Sequence, residues 1–227
     1  MAAALAACCA GAGMAQTGAL KDLLGNGELP SPAAAAVPAP EPDDLRSGGD
    51  YSYVDPQHVV PARPLAAALR FYKANKADIA NKDYLSVIDY TQRSDNKRLY
   101  VIDMRTGGVE RFLVAHGRGS DPDHTGYATV FSNEDSTHAS SLGFYLTGST
   151  YEGDNGYSLK LYGLDPTNSN ALARSIVMHG AKYVDPALPV IGRSWGCPAV
   201  ELSVRTRLID QLKGGSVIYS WHEKFSR

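Results

Sequence analysis

Between residues 84 and 221 the chain carries seven short runs rich in β-branched and aromatic residues, and this repeated pattern leaves a sheet as the main way to build a core. The runs are YLSVIDY (84–90), RLYVIDM with its strand from residue 99, VERFLVAHG (109–117), GFYLTG (143–148), SLKLYGL (158–164), SIVMHG (175–180) and SVIYSW (216–221). Arg105-Thr106-Gly107-Gly108 separates two of them and reads as a hairpin turn, because glycine accepts positive φ. Two helices are expected at the periphery. One covers 64–82, where Leu65, Leu69 and Tyr72 fall on one face. The other runs over 203–212, N-capped by Ser203 and closed by Gly214 and Gly215. The expectation is a mainly β fold.

Ahead of that region the composition divides the chain further. Residues 1–15 read as a signal peptide or leader, with Gly13 and Ala15 as the small residues before a cut at Gln16. An alternative makes Cys8 the lipidated cysteine of a lipoprotein box, but too few residues precede it to form an apolar segment. Residues 16–50 are a Pro/Ala-rich spacer that buries too little apolar surface to offset its ordering entropy. That leaves 51–227 as one catalytic-sized domain. The formal charge of -2 and pI near 6.3 argue against nucleic acid as a partner. No run reaches the roughly 20 apolar residues of a transmembrane helix, and the leader makes export to the periplasm or cell envelope the expectation.

The chain has three cysteines, and once Cys8 and Cys9 of the leader are set aside only Cys197 is left. In an oxidising compartment a single thiol is dimer-forming, reactive, or buried and inert. Gly196 before it permits a sharp turn, and Pro198 after it stiffens the bend, so the loop is built to present its side chain. His179 ends the run SIVMHG and is the natural base for a nucleophilic thiol. A thiol paired in that way is expected to titrate below the ordinary ~8.5. His116-Gly117 echoes His179-Gly180 and is the rival base. A zinc site from His116, His124, His138 and His179 lacks metal-ligand spacing, and no metal or cofactor is required.

His179-Gly180, the fourteen residues 180 to 193, and then Ser194-Trp195-Gly196-Cys197 resemble the catalytic motif of the YkuD-like L,D-transpeptidases. The run HGRGSDPDHTGYATVFSNEDSTHASSLGFYLTG (116–148), with SIVMHGAKYV and GRSWGCPAVE, resembles the murein L,D-transpeptidase catalytic domain branch. Trp195 stands where the family usually has His, and Ala199 where Arg or Asn is common. The resemblance implies a β-sandwich or barrel-like domain and a Cys197 thioester formed on peptidoglycan peptide stems. It makes the Gly196 and Cys197 N–H groups oxyanion donors, and the Gly180 or Ser194 carbonyl the group that orients His179. Arg193, Trp195, Tyr145 and His116 are the candidate substrate contacts. Two alternatives use the same residues differently: an L,D-carboxypeptidase or endopeptidase, and a non-catalytic wall-binding β module.

Overall fold

The computed structural model describes residues 50–226, so the leader with Cys8 and nearly all of the spacer lie outside the described residues. The elements follow as α1 (Ala62–Asn75), β1 (Tyr84–Asp89), β2 (Leu99–Asp103), β3 (Val109–Phe112), β4 (Gly143–Gly153), β5 (Gly156–Gly163), β6 (Val177–Ala181), β7 (Ala199–Glu201), α2 (Leu202–Leu212) and β8 (Val217–Trp221). The fold is mainly β, as the run pattern implies. All eight strands share one sheet in the order β3-β2-β1-β8-β4-β5-β6-β7. The β1/β8 and β6/β7 pairs are parallel; every other neighbouring pair is antiparallel.

The two ends of this sheet meet. The run 109–117 leaves its ladder with β2 at Phe112, and the residues after it bond instead to the segment leading into β7. Ala115 N–H donates to the Ala199 carbonyl at 2.8 Å, Ser194 N–H to His116 at 3.0 Å and Arg118 N–H to Ser194 at 2.8 Å. Gly117 and Ser194 form a parallel bridge there. The sheet is thus nearly closed, which leaves few open edges and draws two distant loops together.

One helix covers each side of the core. α1 starts just after Pro61, with Pro64 in the first turn, where a missing N–H costs nothing. It stops at Asn75 rather than continuing to residue 82, because the Asn75 carbonyl takes the N–H groups of Asp78 and Ile79 in a closing turn. Its buried Leu65, Leu69 and Tyr72 pack with Leu85, Val87 and Val217 of the sheet. α2 begins at Leu202, directly after β7, with no side-chain cap, so Ser203 lies inside the helix rather than at its N-cap. Leu208, Ile209 and Leu212 bury its inner face with Leu159, Met178 and Val200. Gly214 at φ +78 and Gly215 at φ +99 then turn the chain into β8. Among the described residues no helix is long and apolar enough to cross a membrane.

Candidate active site

His179 lies on β6, whose five residues are all buried. The strand register sets it between Ser158 of β5 and Ala199 of β7, and Ala199 is two residues beyond Cys197. The β6/β7 pair therefore brings the loop that carries Cys197 to the strand that carries His179. His179 Nδ1 is 3.1 Å from the Gly180 carbonyl. A carbonyl only accepts, so Nδ1 carries the proton and the neutral ring has its lone pair on Nε2. Gly180, not Ser194, is the group that orients this ring. Burial, opposed by that hydrogen bond, pulls the His179 pKa below 6.5.

Cys197 is 8% exposed, and its sulfur is held by backbone from the same strand region: it accepts the Val177 N–H at 3.4 Å and faces the Ser175 carbonyl at 3.6 Å. No hydrogen bond links the sulfur to His179 among those described. Burial pushes the Cys197 thiol above its ordinary range, the opposite direction to that expected of a His-paired thiol. The Val177 N–H, the Arg174 charge and the Cys197 N–H only partly offset that rise. Both shifts favour the neutral form of their group.

Three loops are stitched around the sulfur. Ser194 Oγ donates to the Cys197 carbonyl at 2.6 Å and accepts the Gly196 N–H at 3.1 Å, so that candidate oxyanion donor is taken within the loop. Ser140 Oγ donates to the Gly196 carbonyl and accepts the Gly117 N–H, each at 3.0 Å. Arg174 donates to the carbonyls of Ser132 (2.8 Å) and Ala139 (2.6 Å), fixing the 132–139 loop over the site. Ser140 bonds loop backbone, the usual use of serine in a loop, while Arg174 is a neighbour of the cysteine loop that sequence reasoning missed, its only local signal a cation five residues before His179. Gly196 has φ +117, and a Cβ there would lie 2.8 Å from the Ala139 carbonyl. Gly196→Ala is therefore expected to displace the cysteine loop and cost roughly 1–3 kcal/mol, read as a fall in the midpoint of urea unfolding.

Of the four candidate substrate contacts, three are drawn into the protein. His116 is 1% exposed and part of a buried network rather than a substrate contact. Its Nδ1 accepts from Arg98 at 2.7 Å, and Nε2 lies 3.3 Å from Asp121. Burial and the Arg98 charge push its pKa down to about 3. Tyr145 is likewise core, with its hydroxyl bonded to Ser141. Arg193 turns inward and donates to the carbonyls of Asp121 and Pro122, so its charge serves loop order. Trp195 alone of the four is open to solvent. Ring nitrogens of His116, His124, His138 and His179 are each engaged by protein groups. Among the described residues no group of three or more His, Cys, Asp or Glu is arranged to hold a metal.

The sequence matches the family model for the L,D-transpeptidase catalytic domain over residues 57–221. No curated protein matches it significantly. Similar solved structures include the helical cell shape determining protein Pgp2 of Campylobacter jejuni, at 14% identity and a TM-score of 0.37, covering 62% of this chain and 49% of that one. An L,D-transpeptidase from Mycobacterium smegmatis is 11% identical with a TM-score of 0.39, covering 61% and 58%. Another from Stackebrandtia nassauensis is 16% identical with a TM-score of 0.38, covering 75% of each chain. The chain thus spans about half the length of the first two.

Proposed function

The chain belongs to the L,D-transpeptidase catalytic domain family, and from that premise we propose that it is an exported cysteine acyltransferase acting on peptidoglycan peptide stems. Cys197 attacks the carbonyl at the L-centre of the diamino acid in a tetrapeptide stem. The thiol proton passes to His179 Nε2, the C–S bond forms, and the terminal D-alanine leaves as its amine takes that proton. The thioester is then broken by an amine of a neighbouring stem, whose proton His179 accepts. The free Cys197 thiol is restored at the end of the cycle.

One observation carries the reading: the Nδ1–H of His179 is held by the Gly180 carbonyl, which directs the basic nitrogen away from the strand backbone on the element next to the cysteine loop. The Gly196 N–H is held by Ser194, so oxyanion stabilisation starts from the Cys197 N–H, with Gly196 joining once Ser194 Oγ lets go. Incubating the purified chain with a disaccharide tetrapeptide and weighing the products tests the proposal. Cross-linked dimers with free D-alanine are expected. Tripeptide without dimers makes water the acceptor and the enzyme a carboxypeptidase, while unchanged substrate that still co-sediments with purified sacculi makes the domain a binding module.

A further inference from the structure

Three loop residues build a surface beside Cys197 that the chemistry above does not use. Trp195, two residues before the thiol, is 69% exposed, so its indole is not held there by burial in the core. His138 packs on it with ring centres 4.9 Å apart and planes 32° apart. The Arg118 guanidinium lies 5.7 Å from the same ring centre. Arg118 Nε donates to His138 Nδ1 at 3.0 Å, which joins the two partners and fixes the guanidinium's orientation.

The cluster is anchored from below rather than left to the mobility of long side chains. Arg118 N–H bonds to the Ser194 carbonyl at 2.8 Å, and the His138 carbonyl accepts the Gly119 N–H at 3.0 Å. His138 also holds a φ of +54, a conformation that costs a non-glycine residue energy and persists only where its surroundings enforce it. Among the described residues, no acceptor takes a hydrogen bond from the terminal nitrogens of Arg118 and no acidic side chain pairs with it. The surface thus offers a fixed apolar face and, at its edge, a forked donor without a partner.

A ligand that satisfies both halves has an anion of carboxylate shape next to a patch of C–H surface. A neutral sugar would cover the indole and leave the guanidinium unmatched. We propose that Trp195, Arg118 and His138 form a subsite for a carboxylate-bearing peptide, with the carboxylate on the terminal nitrogens of Arg118 and the adjoining aliphatic carbons on Trp195. The proposal rests on the reading that this site takes peptide stems, and it makes the subsite the feature that selects free over amidated carboxylates two residues from the nucleophile.

The chain has two tryptophans, and Trp221 is buried, so each indole N–H reports a different environment in nitrogen-labelled protein. The test titrates full-length Cys197→Ala protein, which cannot turn substrate over, with a soluble stem tetrapeptide and with the same peptide amidated at its carboxylates. The Trp195 resonance, assigned as the one lost in Trp195→Phe, is expected to move while that of Trp221 stays. Affinity should fall about tenfold or more for the amide and for Arg118→Gln with the free acid, and should weaken with added salt. The subsite is overturned by a stationary Trp195 signal, by equal affinity for acid and amide, or by a glycan disaccharide without peptide shifting Trp195 equally well. The unmoved Trp221 signal shows that each variant is folded. A covalent adduct on wild-type Cys197 is measured separately, so the acylation reading and the subsite can fail independently.

Discussion

Cys197→Ala is expected to remove every covalent product: no D-alanine from a tetrapeptide stem and no gain in mass on exposure to a carbapenem, with the wild-type chain giving both. The loss should be on the order of 10⁴-fold or more, because Cys197 is the only thiol among the described residues and the nearby Ser194 and Ser140 hydroxyls are engaged in loop hydrogen bonds. His179→Gln should slow the same step by about 10²–10⁴-fold, the ordinary contribution of a positioned base. The pH dependence follows from the two environments. Burial holds His179 below 6.5, so it stays basic as the pH falls to that point; burial holds the Cys197 thiol above 9.0, so it stays protonated up to there. The rate of acylation should therefore be level from about pH 6.5 to 9. The charged or ionisable groups acting with Cys197 are Arg174, Tyr90 and Tyr183, and of these only Arg174 favours the thiolate. Iodoacetamide should accordingly label the substrate-free enzyme slowly at pH 7 and faster above 9. Rapid labelling at pH 6 would show a preformed thiolate and imidazolium instead, and unchanged products from Cys197→Ala would end the acyltransferase reading.

The strands were legible because β-branched and aromatic residues recur at short intervals, and the core sits where those runs predict. β7 was not: three residues placed between Pro198 and a helix give no periodicity to read, yet its pairing with β6 is what brings the cysteine loop to the strand that carries His179. The same limit hid Arg174, whose contacts arise only when loops far apart in sequence are stitched together. Tyr145 could be read either as core or as a lining of the cleft, for a different reason. β4 has neighbours on both faces over its central residues, so alternation carries no sign of which side chain meets solvent. His116 followed a strand and preceded glycine just as His179 does; what separates them is tertiary. Arg98 can only donate, so the Nδ1 of His116 lacks a proton, whereas the Gly180 carbonyl can only accept, so the Nδ1 of His179 has one. Local sequence does not encode that difference.

That buried His116 should make the fold sensitive to acid. Its folded pKa of about 3 lies below the 6.5 of an ordinary histidine. Between those values the unfolded chain binds a proton that the folded chain refuses, so stability is fully present above 6.5 and is lost as the pH falls toward 3. The slope is roughly 1.4 kcal/mol for each pH unit, several kcal/mol across the window, against a total of about 5–15 kcal/mol for an ordinary domain. His179 and His222, both also lowered by burial, add loss of the same sign. Asp121 stays ionised beside His116 because the N–H groups of Thr125 and Gly126 outweigh the rise from burial, and its own loss begins only below 3.8. Glutamine at 116 keeps one acceptor for Arg98 and one donor for Asp121 but cannot titrate. Urea unfolding at a series of pH values should therefore show a shallower slope for His116→Gln than for wild type between 6.5 and 3, and identical slopes would remove His116 as the source. The consequence reaches catalysis through the backbone: the His116 carbonyl accepts the Ser194 N–H, and the Ser194 hydroxyl closes the cysteine loop. Acid that opens the Arg98, His116 and Asp121 network should thus loosen the loop that holds Cys197 before the sheet itself unfolds.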